Sequence, residues 1–411
     1  MFALSAAASA CASVVYATGG DADDPGASAD ASIEDQHRFQ AGCVPKSPED
    51  SARFPTACFD TQTRAEIMNK VHVDTPALHE LFLIITTLTS EGRNPESRLV
   101  RTDTPYAARV REHFGVYFTH EVVGAVESLL AEGTPHHIAA KIDASAYRMR
   151  DDGTFEKRPE YTWIRGSEDN LEQLLPMLQD FSEDTDFKSF FRSRASQRLY
   201  NQQQDFFRQE AQTQQLLDWL NTEYPETKPF ESVRLIVSPL AFAYQHQDGV
   251  VDRDFRQLIA HVNFPQRREI AKRLSPSAAA FERTSILFTE LNHGFIEPSS
   301  PALLERIEKV FWGGNRFVDP EKVSPSYASG RRVFLEYLNW ALISIYACEH
   351  YSSEDCQVIA TSVASTMTDR RGFIDFAEFQ DWLLRQRKKN PNVRLHTLTP
   401  SMVEWFELHA P

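Results

Sequence analysis

Apolar residues recur at helical spacing along most of this chain, in Pro76–Leu88, Glu121–Glu132, Leu171–Phe181, Asp205–Tyr224 and Ala302–Phe311. That three-to-four spacing is the mark of a helix with one buried face. Two segments break it. Ser232–Val237 is a run of Val, Leu and Ile around one Arg and reads as a strand, and Arg256–Phe264 reads as a second, following the turn-like stretch Gln245–Gly249. The pattern predicts an α+β fold, mostly helical, with a small antiparallel sheet. No repeat unit recurs and no long Pro or Gly linker follows Phe59, so a single domain is expected over 61–411.

Two further helices carry the chemistry. Ser275-Pro276 is a good helix start and Gly294 a good stop, which places Phe288-Thr289-Glu290-Leu291-Asn292-His293 at the helix end. At about 100° per residue, Ile286, Glu290 and His293 share one face, apart from the stripe of Ala280, Thr284, Leu287 and Leu291. A carboxylate and an imidazole thus lie on one line. The helix Val333–Ala347 is apolar nearly all round and too short to span a bilayer, so it is expected in the interior. Its one acid is Glu336, and a buried carboxylate needs a cation, a metal or a strong donor beside it. Arg332, one turn earlier, is the simplest structural partner.

This order of elements, strands, then a helix ending in Glu-x-x-His, then a buried helix with a Glu, resembles the zinc-dependent peptidases of the gluzincin type. There the motif His-Glu-x-x-His supplies two imidazole ligands, its Glu serves as general base, and a downstream acid completes the site. The chain resembles more closely an uncharacterised bacterial family of exported, metallopeptidase-like proteins. The likeness runs from about Ala65 to Phe406 and rests on Phe288–Pro298, the end of the Val237-Ser238-Pro239-Leu240 strand, the Glu80-Leu81 helix and the Glu336 helix. The resemblance implies a zincin-like domain with a buried motif helix, metal-assisted hydrolysis of a peptide or protein substrate, Glu290 as base or ligand, and His293 and Glu336 as zinc ligands. One departure stands out. Thr289 occupies the place of the motif's first His. Three readings follow: a different metal site in which Glu290, His293 and Glu336 all bind, a catalytically silent exported binding or structural protein on the same scaffold, and a purely structural Glu-His pair.

Other motifs add less. Asp369–Phe379 looks like the second half of an EF-hand loop, but Met367 and Arg371 would occupy positions where calcium needs oxygen, so a plain helix-turn-helix is the better expectation. His79-Glu80 and His120-Glu121 lack the second His of a zinc motif and read as ordinary helix residues, and His136-His137 as a loop. No P-loop, dinucleotide Gly pattern or nucleophile elbow is present.

Charge and cysteines bear on partners and compartment. With 58 acids against 43 bases the net charge of −15 repels a phosphate backbone, which excludes nucleic acid as an expected partner. Residues 1–20 read as a signal segment, with Cys11 behind Ala8-Ser9-Ala10 resembling a degenerate lipoprotein box and offering a lipidated membrane attachment. Residues 21–60 read as a flexible linker. Cys43 with Cys58, and Cys348 with Cys356, are spaced to close short local disulfides, so an exported protein of the periplasm or outer membrane is expected.

Overall fold

The computed structural model describes residues 43, 54–161, 169–209, 211–263, 269–298, 300–311, 316–323, 327 and 329–409. The expected signal segment, Cys11 and most of the linker lie outside them. The fold is α+β and mostly helical. Among the described residues no helix is long and apolar enough to cross a membrane.

Two compact units emerge. Of the described residues, one holds those of 206–229 and 269–409, the other those of 43–205 and 230–263. Each is assembled from separated stretches of chain, so no change of composition along the sequence marks a boundary.

In the second unit a four-stranded sheet is formed by β1 (Lys70–Asp74), β4 (Ser232–Ser238), β5 (His246–Asp252) and β6 (Phe255–Asn263), in the order β1-β4-β6-β5. The strands β2 (Tyr147–Met149) and β3 (Phe155–Lys157) make a separate antiparallel pair. The larger sheet is mixed, where the sequence predicts an antiparallel one: β1, β4 and β6 run parallel and only β5 runs against β6. A tight turn causes this. Arg253, at φ +58°, reverses the chain after β5, and β6 folds back between β5 and β4. Gln245–Gly249, predicted as a turn, accordingly begins strand β5. Every residue of β4 is buried, as befits a central strand covered on both faces.

The edge of β5 is covered. Ala57 N donates to Val251 O at 2.8 Å, Val251 N to Pro55 O at 3.0 Å, and Phe59 N to Asp252 Oδ2 at 3.0 Å. Residues 54–60, assigned to a linker from composition, are therefore docked, and the Cys43–Cys58 disulfide, with Cα atoms 5.4 Å apart, fastens them. Helix α1 (Ala77–Leu88) is buried along its whole length, packed by the helices Pro105–Phe114, Glu121–Glu132 and Thr134–Asp143. His136 and His137, expected in a loop, fall in the last of these.

The first unit is helical. The stretch predicted as one helix from Ser275 to Gly294 is two, α2 (Pro276–Arg283) and α3 (Ser285–Asn292). Thr284 breaks them, its hydroxyl turned back to the carbonyls of Ala280 and Phe281 at 3.2 and 3.0 Å. Likewise Asp205–Tyr224 divides at Gln212, whose φ of +50° separates Arg194–Gln209 from Thr213–Glu223. Helix α4 (Gly330–His350) is buried from Val333 to Ala347, as its apolar composition predicts. Its C-terminal end is tied to the next helix by the Cys348–Cys356 disulfide, Cα atoms 4.5 Å apart.

Candidate functional site

Helix α3 lies against α4 in antiparallel fashion. Phe288 meets Tyr346 at 5.3 Å between ring centroids, while one turn further along α3 Asn292 reaches back to Asn339. Trp219 and Phe281 complete the aromatic end of this contact, at 5.5 and 4.8 Å from Tyr346. The motif residues sit at the other, polar end.

His293 follows the last residue of α3, and its Nε2 accepts a hydrogen bond from Asn339 Nδ2 at 2.9 Å. The orientation of that amide is fixed by a neighbour: Asn339 Oδ1 accepts from Asn292 Nδ2 at 3.0 Å. The imidazole is thereby assigned as the Nδ1–H tautomer. Burial holds its pKa below the usual histidine value, against the carboxylates of Glu336 and Glu297, which pull upward. Glu290 is wholly buried. Thr289 donates its hydroxyl to Ile286 O at 2.7 Å and leaves a longer contact of 3.4 Å to Glu290 Oε1. In the position of an imidazole, Thr289 therefore serves the helix backbone.

Glu336 is 2% exposed, and the cation beside it is not the one the sequence suggests. Arg371 Nη2 lies 3.3 Å from Glu336 Oε1, and the same oxygen accepts from the Tyr327 hydroxyl at 2.8 Å. Arg371 also donates to that hydroxyl, which links the three side chains in a chain of donors. The guanidinium is 3% exposed and stacks 4.9 Å over Trp340, with Tyr327 and Phe373 at 5.6 and 5.7 Å. Arg332 lies in the first turn of α4, where its backbone N–H donates to Ser329 Oγ at 3.3 Å.

The EF-hand-like segment explains how Arg371 arrives there. A single π-helical turn, Thr366–Arg370, ends in Arg371, and Gly372 reverses the chain at φ +74°. Asp319 N then donates to Gly372 O at 2.7 Å and Ile374 N to Phe317 O at 2.8 Å, pinning the loop. The residue that spoils a calcium loop is the one that completes the Glu336 cluster.

His293 and Glu336 are thus brought into one electrostatic neighbourhood, but each meets a protein partner. Among the described residues no three His, Cys, Asp or Glu side chains converge as a metal would require. The chemistry of the donor set agrees, since a guanidinium against Glu336 and an amide donor on His293 both oppose a divalent cation.

A second buried polar cluster, which sequence reasoning passed over, occupies the other unit. Glu80 on α1 is fully buried and accepts from Tyr106 at 2.6 Å, and Tyr106 and Tyr200 share a hydrogen bond of 2.6 Å. Burial pushes Glu80 up to about 7, although hydrogen bonds from Ser238 and Tyr106 pull the other way. Its neighbour His79 faces His261 of β6 at 5.5 Å between rings, and His246 is the cross-strand partner of His261. Burial drives His79 and His261 well below the usual histidine range, with Lys141 and Arg234 adding to the effect. A signal was present in the strands. Arg234 and Ser238 in β4, and Gln257 and His261 in β6, fall at alternating positions among aliphatic residues, which puts polar side chains on a single sheet face.

No protein-family model, curated protein or solved structure matches this chain. No family is assigned.

Proposed function

We propose that this chain is an exported, zincin-like protein that acts by binding, its Glu-x-x-His helix serving as a buried polar lock and not as a hydrolytic centre. The observation that carries this reading is Arg371 at 3.3 Å from Glu336, a cation in the place where a third zinc ligand would need an open carboxylate. Thr289 supports it, because its hydroxyl is committed to the Ile286 carbonyl. Export is supported by the two disulfides, which persist in an oxidising compartment. The order of strands, motif helix and Glu-bearing helix supports the zincin-like scaffold.

Metal analysis of the purified full chain, with Thr289→His alongside, tests this. The parent should hold substoichiometric zinc and cleave no peptide. Thr289→His should raise zinc uptake, because it rebuilds two imidazoles at i and i+4 on one helix face. One zinc per parent chain, released by His293→Ala, would overturn the reading in favour of a metallopeptidase with Glu290, His293 and Glu336 at the metal. A folded chain carrying both Thr289→His and Arg371→Met, the guanidinium thus gone from Glu336, that still takes up no added zinc would remove the zincin ancestry.

A further inference from the structure

An open pocket of about 330 Å³ lies in the second unit at the start of α1. Its floor is a helix N-terminus without a side-chain cap: Pro76 occupies the cap position and has no side-chain acceptor to offer the first-turn amides. The positive end of this twelve-residue helix therefore opens on the pocket.

Buried donors point the same way. Arg234 of β4 is 3% exposed and lines the pocket. Its Nη2 bonds Asp74 Oδ2 and Ser145 O at 2.8 and 2.9 Å, while Nη1 is buried without a partner. The Thr75 hydroxyl, in a residue 8% exposed, is likewise buried and unpartnered. Arg148, Arg158 and Arg192 stand on the walls, ion-paired with Glu156, Glu160 and Asp151 at 2.6, 3.3 and 3.1 Å, and the lining itself carries two carboxylates, Asp74 and Glu160. Asp74 Oδ1 and Glu160 Oε2 are buried acceptors that no donor of the described protein meets.

We propose that this pocket binds a small molecule carrying an oxyanion, a carboxylate or a phosphate, together with an ammonium group. The oxyanion lies between the first turn of α1 and Arg234, where amides and a guanidinium converge. The ammonium meets Asp74 and Glu160. These residues are separate from the Glu290 helix, so the proposal does not depend on how the zinc measurement falls.

Calorimetric titration of the full chain with β-alanine, O-phosphoethanolamine, acetate and inorganic phosphate tests it. Saturable binding by β-alanine or O-phosphoethanolamine, tighter than by acetate or phosphate, is expected, and the stronger of the two names the oxyanion. Arg158→Gln, at a part-exposed wall position, should weaken that binding by about tenfold, the scale of one charge-assisted hydrogen bond, in protein that circular dichroism shows to be folded. Arg306→Gln, in the other unit, should leave it unchanged. No saturable binding by any of the four compounds would overturn the proposal, as would binding that survives both Arg158→Gln and Arg148→Gln undiminished in folded protein.

Discussion

Replacing Arg371 by Met isolates the interaction on which the reading of the motif helix depends. The guanidinium and the Glu336 carboxylate are 3% and 2% exposed and 3.3 Å apart. At an effective dielectric of about 20 their attraction amounts to about 5 kcal/mol, much of it offset by the desolvation of both groups. Removing one partner is more damaging than that balance suggests, because the carboxylate stays buried without its cation. Loss of about 3–5 kcal/mol is expected, a large part of a domain's total stability. Met fills the space among Trp340, Tyr327 and Phe373, so packing loss contributes less than charge. Glu336→Gln removes the charge while keeping an acceptor for the Tyr327 hydroxyl. The double variant should therefore recover part of the loss, with a coupling of about 2 kcal/mol in a double-mutant cycle. Urea unfolding followed by circular dichroism measures it, taking the transition of the helical unit that carries both residues. An Arg371→Met chain within about 0.5 kcal/mol of the parent, or strictly additive changes, would refute the lock. Stoichiometric zinc in Arg371→Met would show instead that the guanidinium masks a ligand set still in place.

Three further outcomes follow from the burial of ionisable groups and from the disulfides. Glu80, raised from 4.5 to about 7, favours the folded state fully below about pH 4.5 and loses that advantage as pH rises through 7, a difference of about 3 kcal/mol. Glu80→Gln, which can still accept from Tyr106, should be flatter than the parent in urea stability between pH 5 and pH 8, and an unchanged slope would count against the shift. His137, held down to about 3 by burial and by Lys141, contributes stability above pH 6.5 that is lost as pH falls towards 3, at no more than about 1.4 kcal/mol per pH unit. His137→Phe keeps the ring contact with Phe82, and the Thr86 hydroxyl can still bond Phe82 O, so its acid limb should be shallower; a limb as steep as the parent's would assign the acid sensitivity elsewhere. Thiol titration of denatured chain before and after reduction should differ by four thiols from the two disulfides, and opening Cys43–Cys58, which closes a 15-residue separation, should cost about 3 kcal/mol. No gain of thiols on reduction would contradict export.

Sequence periodicity was enough to locate α1, the Glu121–Glu132 helix, β4 and the buried α4, because each depends on which side chains must leave water, a property written in local spacing. The disulfides were legible for a related reason: partners eight and fifteen residues apart meet through short loops. Breaks were less legible. Thr284 and Gln212 interrupt helices whose apolar spacing continues across them, so the pattern records a buried face but not the bend in it. Partners across long separations were not legible at all. Helical spacing shows that Glu336 is buried and points to Arg332 as the nearest cation, but the loop 35 residues beyond delivers Arg371. The same limit hid the polar face of the sheet. His261 is set beside His246 by the turn at Arg253 and beneath His79 by the packing of α1, and a local pattern fixes neither distance. Local chemistry determines which groups must be buried, whereas the fold alone decides which of them meet.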